Sequence, residues 1–157
     1  MPRISGLQDS RLENWKSALR FELRWNETGS MQLKNTTLLY GARDNRRLGE
    51  SGFAVNKAFL NSVKDFKVIS PRMTVLMIAA RWFNIAFCYI HAPMEEKKEV
   101  EKDEFYSLLN NVLNDIPANC IQIILGDFNA KIGKENYFRP IIGIHDLHEV
   151  SNDNGCR

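Results

Sequence analysis

Short hydrophobic runs separated by polar residues dominate the first half of the chain and predict β-strands. Residues 37–40 and 52–55 form the first two runs. The polar stretch between them, residues 44–47, is typical of a turn, so we expect a hairpin with a long loop. The pattern therefore begins with an antiparallel pair of strands.

A second pair of runs, residues 73–78 and 83–90, is separated by residues 79–82 and predicts another hairpin. Apolarity is nearly continuous through residues 83–90. A strand with that pattern is buried on both faces, because an exposed face would require alternating polar positions.

The hydrophobic period changes after residue 99 and becomes helical. The apolar positions of this segment are Val100, Phe105, Leu108, Leu109, Val112, Leu113 and Ile116. Pro117 marks the end of the predicted helix, and residues 121–125 predict a further buried strand. We expect Leu109, Val112 and Leu113 to pack on a sheet that contains both 83–90 and 121–125. This order of elements indicates a layered α/β or α+β domain.

Composition and charge leave the functional class open. The 157 residues are 44% hydrophobic and 25% charged, with a formal net charge of +2, as in an ordinary globular domain. No secretory leader is recognisable in residues 1–10, and no apolar run is long enough to span a bilayer. The cysteines Cys88, Cys120 and Cys156 lack metal-site spacing, which favours reduced thiols in an intracellular protein, with Cys88 in the core.

The segment after run 121–125 carries the candidate chemistry. Strand alternation would place Asp127 and Asn129 on one face, in the crevice where layered α/β folds bind ligands. A carboxylate there can bind a hard cation or accept a proton from water, and Gly126 permits close backbone approach. Gly, Asp and Asn are also the usual turn residues, so a plain turn is the other interpretation, and spacing alone favours it.

Two longer motifs resemble a known superfamily. "LGDFNAKIG" (125–133) and "FNIAFCYIHAP" (83–93) resemble the signatures of the exonuclease–endonuclease–phosphatase group, which includes DNase I. The pattern over about residues 18–155 is similar to the endonuclease domain of RTE/BovB-type non-LTR retrotransposons. The resemblance implies a DNase I-like four-layer α/β sandwich. Residues 1–157 would be a partial domain of this kind, truncated at both ends.

The resemblance also implies an activity and a site. Members of the superfamily cleave phosphodiester bonds with Mg²⁺, or with Mn²⁺, and the retrotransposon domains nick duplex DNA. By residue matching, Glu22 would bind the metal and Asp127 would orient or deprotonate water. Asn129 and His91 would contact the scissile phosphate, while Arg72 would have a structural role. Without the resemblance, Glu22 is interpreted as a solvated carboxylate and His91 as a loop histidine.

Some family positions have no counterpart in this chain. Phe21 stands where the family has Gln before the metal-binding Glu. The opening Asn is missing, because Asn14 precedes Trp15 in the wrong order, and so is the closing Asp-His pair, because His145 and His148 follow Asp127 too closely. We therefore expect weak activity or none.

Two alternatives to an active enzyme remain. The first is a non-catalytic nucleic-acid-binding remnant, and the second is the product of a decayed retroelement without selected function. The basic residues open to phosphate contact are Arg20, Arg24, Arg43, Arg46, Arg47, Lys131 and Lys134, although their scatter among acids favours a plain solvated surface. Exposed sheet edges predict self-association. A DNA-cleaving protein would act in the nucleus, without a membrane partner.

Overall fold

A computed structural model describes residues 19–20, 28–41, 51–138, 140 and 147–157. In this part of the chain the strands are β1 (Leu19–Arg20), β2 (Gly29–Gln32), β3 (Thr36–Gly41), β4 (Ser51–Asn56), β5 (Val63–Ser70), β6 (Met73–Ala79), β7 (Asn84–His91) and β8 (Cys120–Asp127). The helices are α1 (Lys57–Leu60), α2 (Glu99–Asp115) and α3 (Asp153–Cys156).

The first sheet is antiparallel, with the strand order β1-β4-β3-β2. Its centre is the predicted hairpin: β3 pairs with β4, with Leu38 opposite Ala54. The predicted turn at 44–47 lies outside the described residues. The pattern did not predict β2, whose residues are mostly exposed and show no hydrophobic alternation.

The second sheet has the order β5-β6-β7-β8. The pairs β5–β6 and β6–β7 are antiparallel, which confirms the second predicted hairpin, while β7–β8 is parallel. A parallel pair needs a crossover connection, and α2 supplies it. The pattern missed β5, because Lys64, Asp65 and Lys67 interrupt its apolar residues.

The core lies on both faces of the second sheet. On one face, Phe105, Leu109 and Val112 of α2 belong to one buried cluster with Cys88 and Ile90, and Leu113 packs against it as predicted. A second buried cluster joins Phe53 and Val55 of the first sheet to Leu76 and Tyr89 of the second. The strand β7 is therefore buried on both faces, as its continuous apolarity indicated.

The fold class predicted from the sequence is confirmed: the chain is a mixed α/β sandwich of two sheets with helix packed outside. The described residues form three layers in the order helix, sheet, sheet. Cys88 is plain core, as expected, with 1% of its surface exposed, and burial raises the pKa of its thiol to about 11. Within the described part, no helix combines the length and apolarity needed to cross a membrane.

The prediction that residues 121–125 are a buried strand is wrong with respect to burial. Ile121 is 45% exposed and Leu125 is 36% exposed. The physical reason is position: β8 is an edge strand of the described sheet, and β4 of the first sheet packs mainly against β6 and β7. Hydrophobicity identified a strand correctly but could not show which neighbours cover it.

Candidate functional site

The site is built where β7 and β8 end together. The parallel register places His91, the last residue of β7, beside Asp127, the last residue of β8. The backbone N–H of Ala92 donates to the carbonyl oxygen of Asp127 at 2.8 Å and continues the ladder beyond the strands. The carboxyl ends of parallel strands therefore meet at one edge of the sheet, a location that favours ligand sites.

Gly126 is required by this arrangement. Its φ is +143°, a conformation that L side chains rarely adopt, and a Cβ atom there would lie 1.8 Å from the carbonyl oxygen of Ile90. The predicted close backbone approach is confirmed: the backbone of Gly126 lies close to that of Ile90 in the neighbouring strand β7. Glycine thus allows β8 to run close against β7 immediately before the candidate carboxylate.

Asp127 and Asn129 meet through a turn rather than through strand alternation. The strand ends at Asp127, and Asn129 has φ +47°, so the prediction of a shared strand face is wrong. The backbone N–H of Asn129 donates to Oδ1 of Asp127 at 2.9 Å, which is an Asx turn. The turn interpretation is therefore correct in geometry, and the turn itself brings the two predicted side chains together.

The adjacent loop after β7 is held from two sides. The Asn129 side chain donates through Nδ2 to the carbonyl oxygen of Ala92 at 2.8 Å. Nη1 of Arg72 donates to the carbonyl oxygens of His91 and Ala92, each at 3.4 Å, and the backbone N–H of His91 donates to the carbonyl oxygen of Arg72 at 2.9 Å. The guanidinium of Arg72 therefore ties the start of β6 to the loop after β7.

An open cleft of about 630 Å³ lies beside the Asx turn. Its lining residues are Met94, Glu95, Glu96, Asp127, Phe128, Asn129, Ala130, Lys131 and Asn152. The cleft combines three carboxylates and one lysine with two large apolar side chains, both partly exposed. His91 is outside this lining and its Nδ1 atom is buried, so the structure brings Asp127 and Asn129 to the cleft but does not place the imidazole in its wall.

The donors at the cleft match the chemistry of Mg²⁺, which prefers carboxylate and carbonyl oxygens and keeps several waters. Oδ1 of Asp127 accepts the hydrogen bond of the Asx turn. Among the described residues, no group donates a hydrogen bond to Oδ2. The described residues hold no cluster of three metal-ligating side chains. Glu22, the predicted metal ligand, lies outside the described residues. An ion at this cleft would therefore have Asp127 as its ligand among the described residues, with water in its other positions.

The other predicted side chains near the site are distributed as follows. Lys131 lines the cleft, whereas Lys134 forms an ion pair with Glu149. His148 is exposed and is not part of the cleft lining. His145 lies outside the described residues, as do Arg24, Arg43, Arg46 and Arg47, and for Arg20 only the backbone is described. One basic side chain of the described set thus faces the cleft.

Asn152 and Asn154 are site residues that the sequence reasoning did not identify. The side chain of Asn152 donates to the carbonyl oxygen of Asn129 at 2.9 Å, and that of Asn154 donates to the carbonyl oxygen of Pro93 at 2.8 Å. The signal in the sequence was the pattern Asn-Asp-Asn-Gly at 152–155, because Asn and Asp favour turns and helix N-caps, and Asn152 is the N-cap of α3. The pattern could not predict the distant hydrogen-bond partners of this segment, the carbonyl oxygens of Asn129 and Pro93.

An ionic network anchors the same segment to α2. Nζ of Lys102, which is 2% exposed, donates to Oδ2 of Asp153 at 3.0 Å. Arg157 and then Lys102 lower the pKa of Asp153 by hydrogen bonding. The same contact with Asp153 is the main reason why the pKa of Lys102 is raised, although burial opposes it. The paired charges therefore favour the folded arrangement of this segment.

Known proteins include distant relatives of this chain. Over 114 residues it is 27% identical to craniofacial development protein 2 of Tragulus javanicus, an alignment that covers 73% of this chain and 20% of the relative. The corresponding figures for craniofacial development protein 2 of Bos taurus are 26% identity over 114 residues, 73% and 19%. No protein-family model matches the chain, and neither does any solved structure. The chain is thus a distant homologue of craniofacial development protein 2 and spans about one-fifth of the length of these relatives.

Proposed function

We propose that the cleft is the phosphodiester site of a Mg²⁺-dependent endonuclease-type domain that acts on duplex DNA. The observation that carries the proposal is the state of the Asp127 carboxylate. One of its oxygens is fixed by the backbone N–H of Asn129 at 2.9 Å, while the other has no hydrogen-bond partner among the described residues. A carboxylate fixed in this way at the end of a parallel strand pair is oriented for a metal ion or for water.

The charge of the cleft supports a bound cation. Glu95, Glu96 and Asp127 line the cleft together with one lysine, Lys131. Nζ of Lys102 lies 3.9 Å from Glu95 and partly offsets its charge, so the repulsion of a phosphate group would come mainly from Glu96 and Asp127. A divalent cation between the carboxylates and the phosphate would remove that repulsion. When bound, Mg²⁺ or Mn²⁺ offsets charge at the scissile phosphate.

The protein's own groups have separate roles in this proposal. Oδ2 of Asp127 accepts a proton from the attacking water or orients it. Nδ2 of Asn129 donates one N–H to the carbonyl oxygen of Ala92, and its second N–H can donate to a phosphate oxygen without adding charge. Met94 and Phe128 give the cleft an apolar side against which a deoxyribose or base can pack.

The activity proposed for these 157 residues is weak. In the resemblance to RTE/BovB-type endonucleases, the opening Asn and the closing Asp-His pair have no counterpart here, and Glu22 and His91 are assigned by residue matching alone. The homology to craniofacial development protein 2 is consistent with a nuclease-type ancestry. Action on chromosomal DNA would place the protein in the nucleus.

Metal binding tests the proposal without depending on turnover. Mn²⁺ added to the 157-residue chain should bind at Asp127 and broaden the amide resonances of residues 126–131 in NMR spectra. Asp127→Asn should abolish this effect while leaving the fold intact, because the amide oxygen can still accept the Asn129 hydrogen bond.

Asp115→Asn is the matched control, since it removes an exposed carboxylate at the end of α2, outside the cleft. It should leave the broadening unchanged. Mn²⁺ effects that persist in Asp127→Asn, or that are absent from the unsubstituted chain, would contradict the proposal. Metal-independent DNA binding would instead support the non-catalytic alternative.

A further inference from the structure

The segment 152–155, which is the N-cap and the beginning of α3, is held to one wall of the cleft through Asn152. Nδ2 of Asn152 donates to the carbonyl oxygen of Asn129 at 2.9 Å, and its Oδ1 accepts from the backbone N–H of Lys131 at 2.8 Å. The backbone N–H of Asn152 also donates to the carbonyl oxygen of Lys131 at 3.0 Å. One residue thus binds the backbone of the loop that follows Asp127 at three points.

Asn154 connects that loop to the opposite wall. Its side chain is 4% exposed, and Nδ2 donates to the carbonyl oxygen of Pro93 at 2.8 Å and to that of Asn129 at 3.4 Å. Its Oδ1 accepts from the hydroxyl of Tyr106 on α2 at 3.4 Å. A single buried amide therefore joins the loop after β7, the loop after β8 and the crossover helix.

Further contacts hold the segment 152–155 close to the residues that line the cleft. The carboxylate of Glu95 accepts from the backbone N–H of Asp153 at 3.1 Å and of Asn154 at 3.5 Å. Gly155 lies against the loop so tightly that a Cβ atom would be 2.0 Å from the carbonyl oxygen of Lys131. This segment therefore bridges the loop after β7 and the loop after β8.

We propose that Asn152 and Asn154 are positioning residues of the site. They act through the carbonyl of Asn129, which they hold so that this residue keeps its left-handed conformation and its N–H continues to fix the Asp127 carboxylate. The expected effect of these residues on metal binding rests on the proposed function. Their expected effect on the conformation of the loop after β8 does not.

The physical reason is preorganisation. A non-glycine residue at positive φ is held there by its surroundings, and Asn129 has φ +47°. If the donors to the carbonyl oxygen of Asn129 are lost, the Asx turn from Asp127 to Asn129 can relax. The Asp127 carboxylate then loses its fixed orientation. Groups that orient a metal ligand typically change metal affinity by about 10–100-fold when they are removed.

Asn154→Asp and Asn152→Ala test the inference in the 157-residue chain. Asn154→Asp keeps an oxygen for Tyr106 and removes the Nδ2 donor, and its added negative charge would by itself strengthen Mn²⁺ binding. We expect Mn²⁺ affinity to fall by about 10–100-fold instead. Hydrogen exchange of the Asn129 amide should accelerate relative to the amides of α2.

Asn111→Asp, on the exposed surface of α2, is the matched control and should change neither quantity. If the unsubstituted chain binds Mn²⁺ and both variants bind it equally well, the positioning role is wrong. If the unsubstituted chain binds no Mn²⁺, the proposed function fails. The positioning role is then tested by hydrogen exchange of the Asn129 amide alone. Unchanged exchange at Asn129 in both variants would then overturn the inference, and faster exchange confined to the site loops would support it.

Discussion

His91 lies directly beside Asp127 in the parallel ladder of β7 and β8, although 36 positions separate them in the sequence. The crossover through α2 makes this alignment possible, since it returns the chain to the same end of the sheet. A slip of one residue in β8 would turn Asp127 to the opposite face. The register of this one strand pair therefore determines which side chains reach the cleft.

Replacement of Gly126 by alanine tests how strictly that register depends on the close strand approach. A Cβ atom would lie 1.8 Å from the Ile90 carbonyl oxygen, and φ is +143°. We expect Gly126→Ala to lower the free energy of unfolding by about 2 kcal/mol or more, measured by urea denaturation. In Gly29→Ala the Cβ would meet only the far end of the Tyr40 side chain, at 2.8 Å, so the cost should stay below about 1 kcal/mol. Equal costs would contradict the requirement for glycine at 126.

Local pattern was sufficient to predict much of this fold. The helical spacing of Phe105, Leu109 and Val112 predicted the face that α2 buries, and Pro117 predicted where the helix ends. The continuous apolarity of β7 correctly indicated a central strand. Hydrophobic period reports the environment of one element at a time, so it succeeds where an element's own residues determine its burial.

The site was less predictable, because its geometry depends on contacts between distant segments. The motif residues Asp127 and Asn129 were identified, but the left-handed turn that joins them depends on Asn152 and Asn154, more than 20 positions later. The exposure of Ile121 likewise depends on where the first sheet stops covering the second. Neither relationship leaves a periodic signal in the sequence.

Acid should weaken the attachment of the segment that carries Asp153. Hydrogen bonds from Arg157 and Lys102 lower the pKa of this carboxyl in the folded chain, so below an ordinary value of about 3.9 the unfolded state binds more protons than the folded state. The stabilisation is present above that value and is lost as pH falls through the lower folded pKa. Unfolding free energy measured by urea denaturation between neutral and acid pH should therefore fall less in Asp153→Asn than in the unsubstituted chain.

Asp115→Asn serves as the control for that series, because no described side chain holds its carboxylate. It should retain the full acid dependence of the unsubstituted chain. A pH dependence of Asp153→Asn identical to that of the control would mean that the ion pairs with Arg157 and Lys102 contribute nothing to folding.

Self-association through β8, an edge strand among the described residues, is a further expectation. Between Cys120 and Gly126, β8 has neither a charged residue nor a proline, whereas the opposite edge, β5, carries three charged residues and irregular pairing. Unprotected edges of this kind pair with other strands. Antiparallel pairing of β8 with a second copy, centred on Ile123, would set Ile121 opposite Leu125, so apolar residues would meet across the interface. Sedimentation velocity should show a concentration-dependent dimer.

Ile124→Lys should shift that equilibrium to monomer, because lysine on an edge strand opposes pairing. Val100→Lys is the matched control, since it also replaces an exposed β-branched aliphatic residue by lysine, at a position on α2. A chain that stays monomeric at every concentration, or an equal effect of both substitutions, would show that the edge does not mediate association.

Plasmid nicking gives the most direct test of the endonuclease proposal. Catalytic residues that act as a unit contribute non-additively, so a set lacking some members loses most of its rate at once. A missing acid–base group costs about 10²–10⁴-fold, and a missing group that stabilises the developing charge costs about 10²–10³-fold. We therefore expect the 157-residue chain to nick supercoiled DNA with Mg²⁺ at no more than a trace rate, and Asp127→Ala to change that rate little. Robust nicking that disappears in Asp127→Ala would contradict this expectation and would mean that another residue, with His145 and His148 the first to test, takes the place of the absent histidine.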